Sequence, residues 1–169
     1  MLLLENGRPV PDPYVTLADD AALPDTGGVI VSLERWRTED EALATGGRPV
    51  GVRLKSHQLA DSVAGDLDRL SLVAVELPKF RDGRAFSTAR ELRERYVYTG
   101  EIRAVGHIIP DQYLFLLRAG VSTVEVPEDR YTDAWANALA EYTVAYQPAI
   151  RGDAPLSALR RRLTLGAAR

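Results

Sequence analysis

A cluster of basic residues between 79 and 87 is the feature of this sequence that most suggests a binding site. Lys79, Arg81 and Arg84 surround a predicted turn at 82–83, and Ser87 stands where it would cap the following helix. A helix N-terminus presents free N–H groups and the positive end of the helix dipole, so cations beside it favour a bound anion. The pattern predicts a site for phosphate, sulfate or sulfite. A turn with solvated basic side chains is the alternative.

Acid–base chemistry would depend on few residues. The two histidines, His57 and His107, both lie near the ends of predicted strands. The carboxyl ends of parallel strands are where α/β proteins bind ligands, so His107, Asp111 and Glu76 are the candidates for a catalytic role. The spacing of histidines and carboxylates matches no metal motif, and we expect no bound metal.

The chain has no cysteine, which excludes thiolate zinc ligands, an iron–sulfur cluster held by its own cysteines, and cysteine catalysis. Glycine-rich dinucleotide and phosphate-binding loops are also missing from the sequence. The residues therefore identify no cofactor.

Alternating strand and helix patterns must position these residues. Helices are predicted from Thr38 up to the glycines at 46–47, and at 58–70, 87–96, 110–119 and 131–146; strands are predicted at 29–33, 50–55, 72–77, 101–109 and 123–126. This alternation predicts a parallel five-stranded sheet of βα units at 29–147 with right-handed crossovers. The proline- and glycine-rich segment 1–28 is expected to be an irregular arm or a hairpin, and 148–169 a basic helix or tail.

One face of the predicted sheet is charged. Alternate strand positions are apolar, whereas the positions between them include Arg53, Glu76, Arg103 and Glu125. Helices on one face and a charged second face are what part of a TIM-like barrel would show, and 169 residues are too few for a complete barrel of about 250. The charged row is either a ladder of cross-strand ion pairs or a ligand-lined face. Pairing of two chains as a homodimer would cover its open edges.

Charge and hydropathy bear on partners and compartment. The formal net charge is −3, so a general nucleic-acid binder is not expected. The apolar stretches are shorter than the roughly 18 residues of a membrane span, and the first residues lack the pattern of a signal peptide. We therefore expect a cytoplasmic protein.

The stretch LPKFRDGRAFSTARELRERYVYTGEIRAVGHIIPDQYLFLLRAG, at 77–120, resembles a bacterial family known as domain of unknown function 934. The resemblance is dense there and looser over 29–147. The matching positions are Lys79, Phe80, Asp82, Gly83, Arg84, Ser87, Arg103, Gly106, Asp111 and Gln112. His107 departs from the family pattern, which usually has Asp there. If that Asp is a catalytic acid or metal ligand in the family, the departure implies altered chemistry or none. If it is only a structural partner of a basic residue, His107 is tolerated there.

The resemblance implies a role in assimilatory sulfite reduction but supplies no established catalytic residue. It favours either an accessory protein that binds sulfite reductase components or an oxidoreductase. The residues leave two further possibilities: a non-catalytic dimerising scaffold, and an enzyme that binds a small molecule on the charged sheet face.

Overall fold

The computed structural model describes residues 1–44, 47–140 and 150. Its strands are β1 (Leu2–Glu5), β2 (Arg8–Val10), β3 (Tyr14–Thr16), β4 (Gly28–Ser32), β5 (Val50–Leu54), β6 (Leu72–Leu77), β7 (Glu101–Gly106) and β8 (Thr123–Val126). Its helices are α1 (Leu33–Ala44), α2 (Arg84–Glu94), α3 (Pro110–Arg118) and α4 (Ala134–Ala140). Within these residues, none of the helices combines the length and hydrophobicity that a membrane span needs.

The eight strands of the described residues form one mixed sheet in the order β2-β1-β8-β7-β6-β5-β4-β3. Strands β3 to β8 run parallel, and β1 pairs antiparallel with both β8 and β2. The expected α/β half-barrel is confirmed, but the expectation of a purely parallel five-stranded sheet is wrong. Segment 1–28 is not an irregular arm, because it contributes β1, β2 and β3 to the sheet.

The N-terminal strands follow from turn chemistry. Asn6 and Gly7 both have positive φ (49° and 78°), as a tight hairpin turn requires, and this turn joins β1 to β2. Pro11 and Pro13 then end the hairpin, and the chain crosses to the opposite edge of the sheet, where β3 pairs with β4.

That crossing shows how strongly the sheet curls. Segment 11–13 is the only connection between β2 and β3, which lie at opposite edges of the sheet. Four residue steps from Val10 to Tyr14 span at most about 14 Å, whereas eight flat strands would be roughly 34 Å wide. The edges must therefore approach each other, with segment 11–13 closing the seam as a strap. We call the face opposite the helices the inner face.

The helices cover the outer face. The apolar strand positions of the predicted pattern, including Val31, Val52 and Val75, are buried in one core together with Leu92 of α2 and Leu116 of α3. A smaller apolar cluster occupies the inner face: Ile30, Leu72, Ala74 and Val105, with Tyr14 packed against it. On β4 to β6 the inner face is thus apolar towards the amino ends of the strands and charged towards their carboxyl ends, whereas β7 carries Glu101 and Arg103 before Val105.

Two helices differ from the prediction at their starts. Helix α1 begins at Leu33 rather than after Thr38, because the Ser32 hydroxyl accepts the N–H of Arg35 (3.0 Å) and the strand turns directly into the helix. A non-helical residue, Glu39, kinks α1 near the predicted start. Helix α2 begins at Arg84 with Gly83 at its N-cap position, so the expected N-cap role of Ser87 is wrong.

The predicted helix at 58–70 is also wrong. Only Ala60–Val63 forms a 3₁₀ helix, followed by successive turns such as Asp66 N–H to Val63 O (2.9 Å). Gly65 and the neighbouring aspartates and serine have poor helix propensity, and turns suffice to bury Val63 and Leu70 while Leu59 stays half exposed. The predicted last helix is seen as α4, and its continuation to 146 and segment 148–169, apart from Ile150, lie outside the described residues.

Candidate functional site

The β6–α2 loop (residues 78–83) lies at the carboxyl edge of the sheet, and the side chains of Lys79, Phe80 and Arg81 on it are exposed. The aromatic residue Phe80 is 53% exposed to solvent. The loop backbone is held from two sides, because Asp82 N–H donates to Lys79 O (3.0 Å) and Gln112 Nε2 donates to Phe80 O (3.3 Å). An aromatic ring between two cations is thus presented on an ordered loop.

Asp82 occupies the position at which an external anion was predicted. Its carboxylate accepts Nη2 and Nε of Arg84 (2.6 and 2.9 Å) and also the Arg84 N–H at the start of α2 (3.3 Å). The hydrogen bond from the Arg84 guanidinium holds the pKa of Asp82 well below its usual range. Arg84 also donates to Ser56 Oγ (3.0 Å), which ties the β6–α2 loop to the loop after β5.

The predicted anion-binding residues are therefore not equivalent. Arg84 is engaged by Asp82, and Ser87 is an exposed residue of the first turns of α2 rather than its cap. Among the described residues, no acidic side chain forms an ion pair with Lys79 or Arg81. These two cations remain the ones available to a ligand or partner.

The catalytic candidates do not converge on one cavity. Glu76 lies on the inner face, whereas Asp111 is in the first turn of α3 and lines a groove of about 370 Å³ between α3 and α4. His107 is exposed just after β7, and its N–H donates to Leu77 O (2.7 Å). His57 is exposed after β5, with β6 between the two histidine-bearing strands. In the described ranges, no group of three His, Asp or Glu side chains is arranged to hold a metal ion.

The charged row of the inner face is split rather than continuous. Arg53 Nη2 lies 3.1 Å from Glu76 Oε1, as expected for neighbours on β5 and β6. The register then places Glu76 opposite Val105, and Arg103 opposite Ala74 and Thr123. Arg103 therefore lies level with Arg53, on the other side of Ala74, and two residues before the level of Glu76. Among the described contacts, Glu125 does not extend the row.

Arg103 instead forms a buried network with the strap. Its side chain is 1% exposed and donates to both carboxylate oxygens of Asp12 (Nη1 2.7 Å, Nη2 2.9 Å) and to Glu101 Oε1 (Nε 3.0 Å). Thr123 also donates to Glu101, and the guanidinium lies over the ring of Tyr14 (5.5 Å). We call this set the Arg103 network. A carboxylate in a proline-rich N-terminal segment gives no sequence signal that it pairs with a strand ninety residues later.

Several other residues of the quoted motif support the backbone. Arg93 of α2 donates to the carbonyls of Tyr98, Gly100 (2.8 Å) and Gly120 (3.0 Å), and so fixes the loops before β7 and β8. Gly106 has a φ of +103°, and a Cβ there would lie 2.4 Å from the Leu77 carbonyl oxygen. Much of the motif therefore stabilises the fold. The exceptions are exposed at the carboxyl edge of the sheet: Lys79, Phe80, His107 and Asp111.

A cleft of about 280 Å³ opens on the inner face at the carboxyl ends of β4, β5 and β6. Its sheet side carries Ser32, Arg53, Lys55 and Glu76, and its other wall is formed by Thr16 and Leu17 at the end of β3. The alternation of strand residues predicted the polar side of this cleft. The contribution of β3 was missed, because it depends on the strap crossing the half-barrel.

The fold and the cleft define an α/β half-barrel protein with a charged inner face. The profile of a family described as a bacterial protein of unknown function (DUF934) matches residues 51–157, which is more than half of the chain. The chain belongs to this family. No curated protein matches the sequence.

Proposed function

We propose that this chain is an accessory protein of assimilatory sulfite reduction in the cytoplasm, and that it docks on an acidic partner through the β6–α2 loop. The observation that carries the docking is the exposed ring of Phe80 between Lys79 and Arg81. The connection with sulfite reduction rests on the resemblance at 77–120, and the partner it implies is a component of sulfite reductase.

The loop has the composition of a binding hot spot. Aromatic residues and arginine dominate the energetics of protein interfaces, and their charged neighbours set the rate and orientation of encounter. The backbone of Lys79 and Phe80 is already fixed by Asp82 and Gln112, so little loop ordering would accompany binding. The complementary surface is an apolar pocket flanked by carboxylates.

The same two cations favour an oxyanion such as sulfite as a competing ligand of the loop. Carboxylates of a protein partner and sulfite share the chemistry that Lys79 and Arg81 recognise. Phe80 distinguishes them, since an exposed ring adds affinity for a protein surface and none for a small hydrated anion. We therefore assign the loop to a protein partner.

The lack of cysteine favours the accessory role over an oxidoreductase. Chemistry on sulfur often uses a thiol or a cysteine-held cluster, and this chain supplies neither from its own residues. Electrons for sulfite would then come from the partner.

Binding of the full chain to purified sulfite reductase components tests the proposal. We expect wild-type protein to bind with an affinity that falls as salt rises, and we expect Phe80→Ala and the double variant Lys79→Glu/Arg81→Glu each to weaken binding at least tenfold. Arg8→Glu/Arg130→Glu is the matched control, because it changes the net charge equally at two exposed positions outside the loop.

Two results would contradict the proposal. One is the absence of binding by wild-type protein together with normal growth on sulfate of a strain lacking the gene. The other is equal binding by the wild type and the loop variants. A sulfite-induced loss of binding that is unchanged in Phe80→Ala would reassign the loop to the anion.

A further inference from the structure

The cleft on the inner face has charges of both signs within one small volume. Arg53 and Glu76 form a direct ion pair (3.1 Å), and their side chains are 40% and 22% exposed. Lys55 lies beside them at the mouth, where its Nζ contacts Glu34 Oε1 (3.1 Å). The cleft lies at the carboxyl ends of parallel strands, where half-barrel and barrel proteins bind their ligands.

These groups have unused hydrogen-bonding capacity. Arg53 has five N–H donors and contacts Glu76 through Nη2, and Lys55 has three donors. Glu76 contacts Arg53 through Oε1, and its second oxygen remains able to accept. A ligand can therefore be bound without breaking the Arg53–Glu76 pair.

We propose that the cleft binds a small zwitterion of the α-amino-acid type, with its carboxylate on Arg53 and Lys55 and its ammonium group on Glu76. This site is separate from the β6–α2 loop, and the inference does not depend on the proposed docking function.

The sign of each charge selects this ligand class over a simple anion. A sulfite or phosphate dianion on Arg53 would lie within a few ångströms of the Glu76 carboxylate, and like charges at such distances in a partly buried site repel strongly. An ammonium group bonded to the same carbon skeleton converts that repulsion into a hydrogen-bonded contact with Glu76. The Arg53 guanidinium binds a carboxylate through two parallel hydrogen bonds, as a planar fork requires.

The side of the cleft formed by the end of β3 is already held in place. Three hydrogen bonds hold the chain after β3 against the sheet: Leu17 N–H to Ile30 O (2.9 Å), Ser32 Oγ to Asp19 Oδ1 (2.6 Å) and Arg35 Nη1 to Ala18 O (2.7 Å). Arg35 is itself buried and paired with Glu39 (3.0 Å). Thr16 and Leu17 line the cleft beside the charged strands, with Leu17 also packed against the main core, and the volume of about 280 Å³ suits a small amino acid.

Calorimetric titration of the full chain with each common α-amino acid, and with acetate, methylamine, sulfite and sulfate, tests the inference. We expect at least one small amino acid to bind more than tenfold more tightly than acetate or methylamine, since neither fragment engages both signs of charge. Glu76→Gln and Arg53→Gln should each weaken amino-acid binding at least tenfold. Lys79→Glu/Arg81→Glu should leave it unchanged, and that variant separates this site from the docking loop.

The surface ion pair of Arg90 and Glu94 (2.9 Å) on α2 provides matched controls. Arg90→Gln and Glu94→Gln remove the same charges and should not alter amino-acid binding. If Arg53→Gln fails to fold, Lys55→Met is the substitute, because Lys55 is half-exposed and its loss leaves the inner pair intact. Binding of sulfite or sulfate that strengthens in Glu76→Gln, with no amino-acid binding by the wild type at millimolar concentration, would overturn the proposal.

Discussion

At the scale of the residue, Arg103 shows how a charge is retained inside the half-barrel. Its guanidinium is almost completely buried and remains satisfied because one carboxylate comes from its own strand, Glu101, and another from the strap, Asp12. Desolvating a guanidinium is costly, and the cost is offset only while both partners stay in place. The Arg103 network therefore makes the position of the strap part of the stability of the sheet.

We expect Asp12→Ala to lower the free energy of unfolding by about 3 kcal/mol, because it leaves a buried cation with one carboxylate instead of two. Urea denaturation measures the loss. Asp20→Ala, a change at an exposed aspartate of the same N-terminal region, should have an effect below about 0.5 kcal/mol. Equal and small effects of both substitutions would show that Arg103 is satisfied without the strap.

Tyr98 gives a prediction of pH dependence. Its hydroxyl is buried and donates to Leu70 O (2.9 Å), and burial raises the pKa of Tyr98 above the ordinary value of about 10. The unfolded chain releases the phenolic proton at a lower pH than the folded chain does. The stability that depends on the protonated ring is therefore complete below pH 10 and is lost as the pH rises above it.

The variant Tyr98→Phe tests this dependence. At pH 8 we expect it to be about 1 kcal/mol less stable than the wild type, because the Leu70 carbonyl loses its hydrogen bond. The deficit should shrink between pH 9.5 and 10.5, since the phenylalanine ring has no proton to lose. Urea midpoints at pH 8, 9.5 and 10.5 measure it, and a constant deficit would contradict the assignment.

At the scale of the element, the end of β7 is set by one glycine. Gly106 has a positive φ and faces the Leu77 carbonyl so closely that no Cβ fits. This turns the chain out of the sheet and places His107 at its carboxyl edge. The sequence alone predicted a strand that ran on to 109, because its apolar residues continue past the glycine.

We expect Gly106→Ala to destabilise the protein by at least about 2 kcal/mol, from backbone strain and from the close approach to Leu77. Gly83→Ala is the matched control, since Gly83 has a negative φ (−87°) and open space at its Cβ position. Chemical denaturation of both variants would distinguish them. Tolerance of Ala at 106 would mean that the β7–α3 loop can adopt a second path.

The sequence pattern predicted correctly those strands whose bounds depend only on neighbouring residues. Strands β6 and β8 were predicted with their observed bounds, because their apolar patterns end at the prolines 78 and 127. The segment 58–70 has helical spacing of its leucines, yet Gly65 and the tertiary contacts of a short crossover favour turns. The Arg53–Glu76 ion pair could be predicted, because alternating side chains on adjacent strands share one face of the sheet. The pairing of Asp12 with Arg103 could not be predicted in this way, because the fold and not the neighbouring sequence brings these two residues together.

At the scale of the whole molecule, β1 makes the sheet one unit. It lies between β8 and the edge strand β2, and Leu4 packs fully buried in the same core as residues from β4 to β8. The first strand of the chain is thereby joined to the last strand described. A destabilising substitution in β1 should therefore lower the stability of the whole sheet rather than that of one edge.

We expect Leu4→Ala to lower the free energy of unfolding by about 3 kcal/mol, as a large-to-small change in a full core does. The two tryptophans report from the same face of the sheet but beside different strands, Trp36 from α1 after β4 and Trp135 from α4 after β8. When Leu4→Ala is added to variants that keep only Trp36 or only Trp135, the unfolding transition followed by fluorescence should shift by the same amount in both. Val15→Ala, at an exposed position of the edge strand β3, is the control and should have little effect. Separate transitions would show that the half-barrel unfolds in parts.

The pairing of β1 with β8 also affects how the protein is made. Leu4 is aligned with Val124, so the ribosome releases the first strand long before its partner has been synthesised. Until then the apolar side chains of β1 have no sheet to join, and a contact across most of the chain is slow to form. The nascent chain can assemble its β4–β7 region early, but its final closure must wait until translation has passed β8.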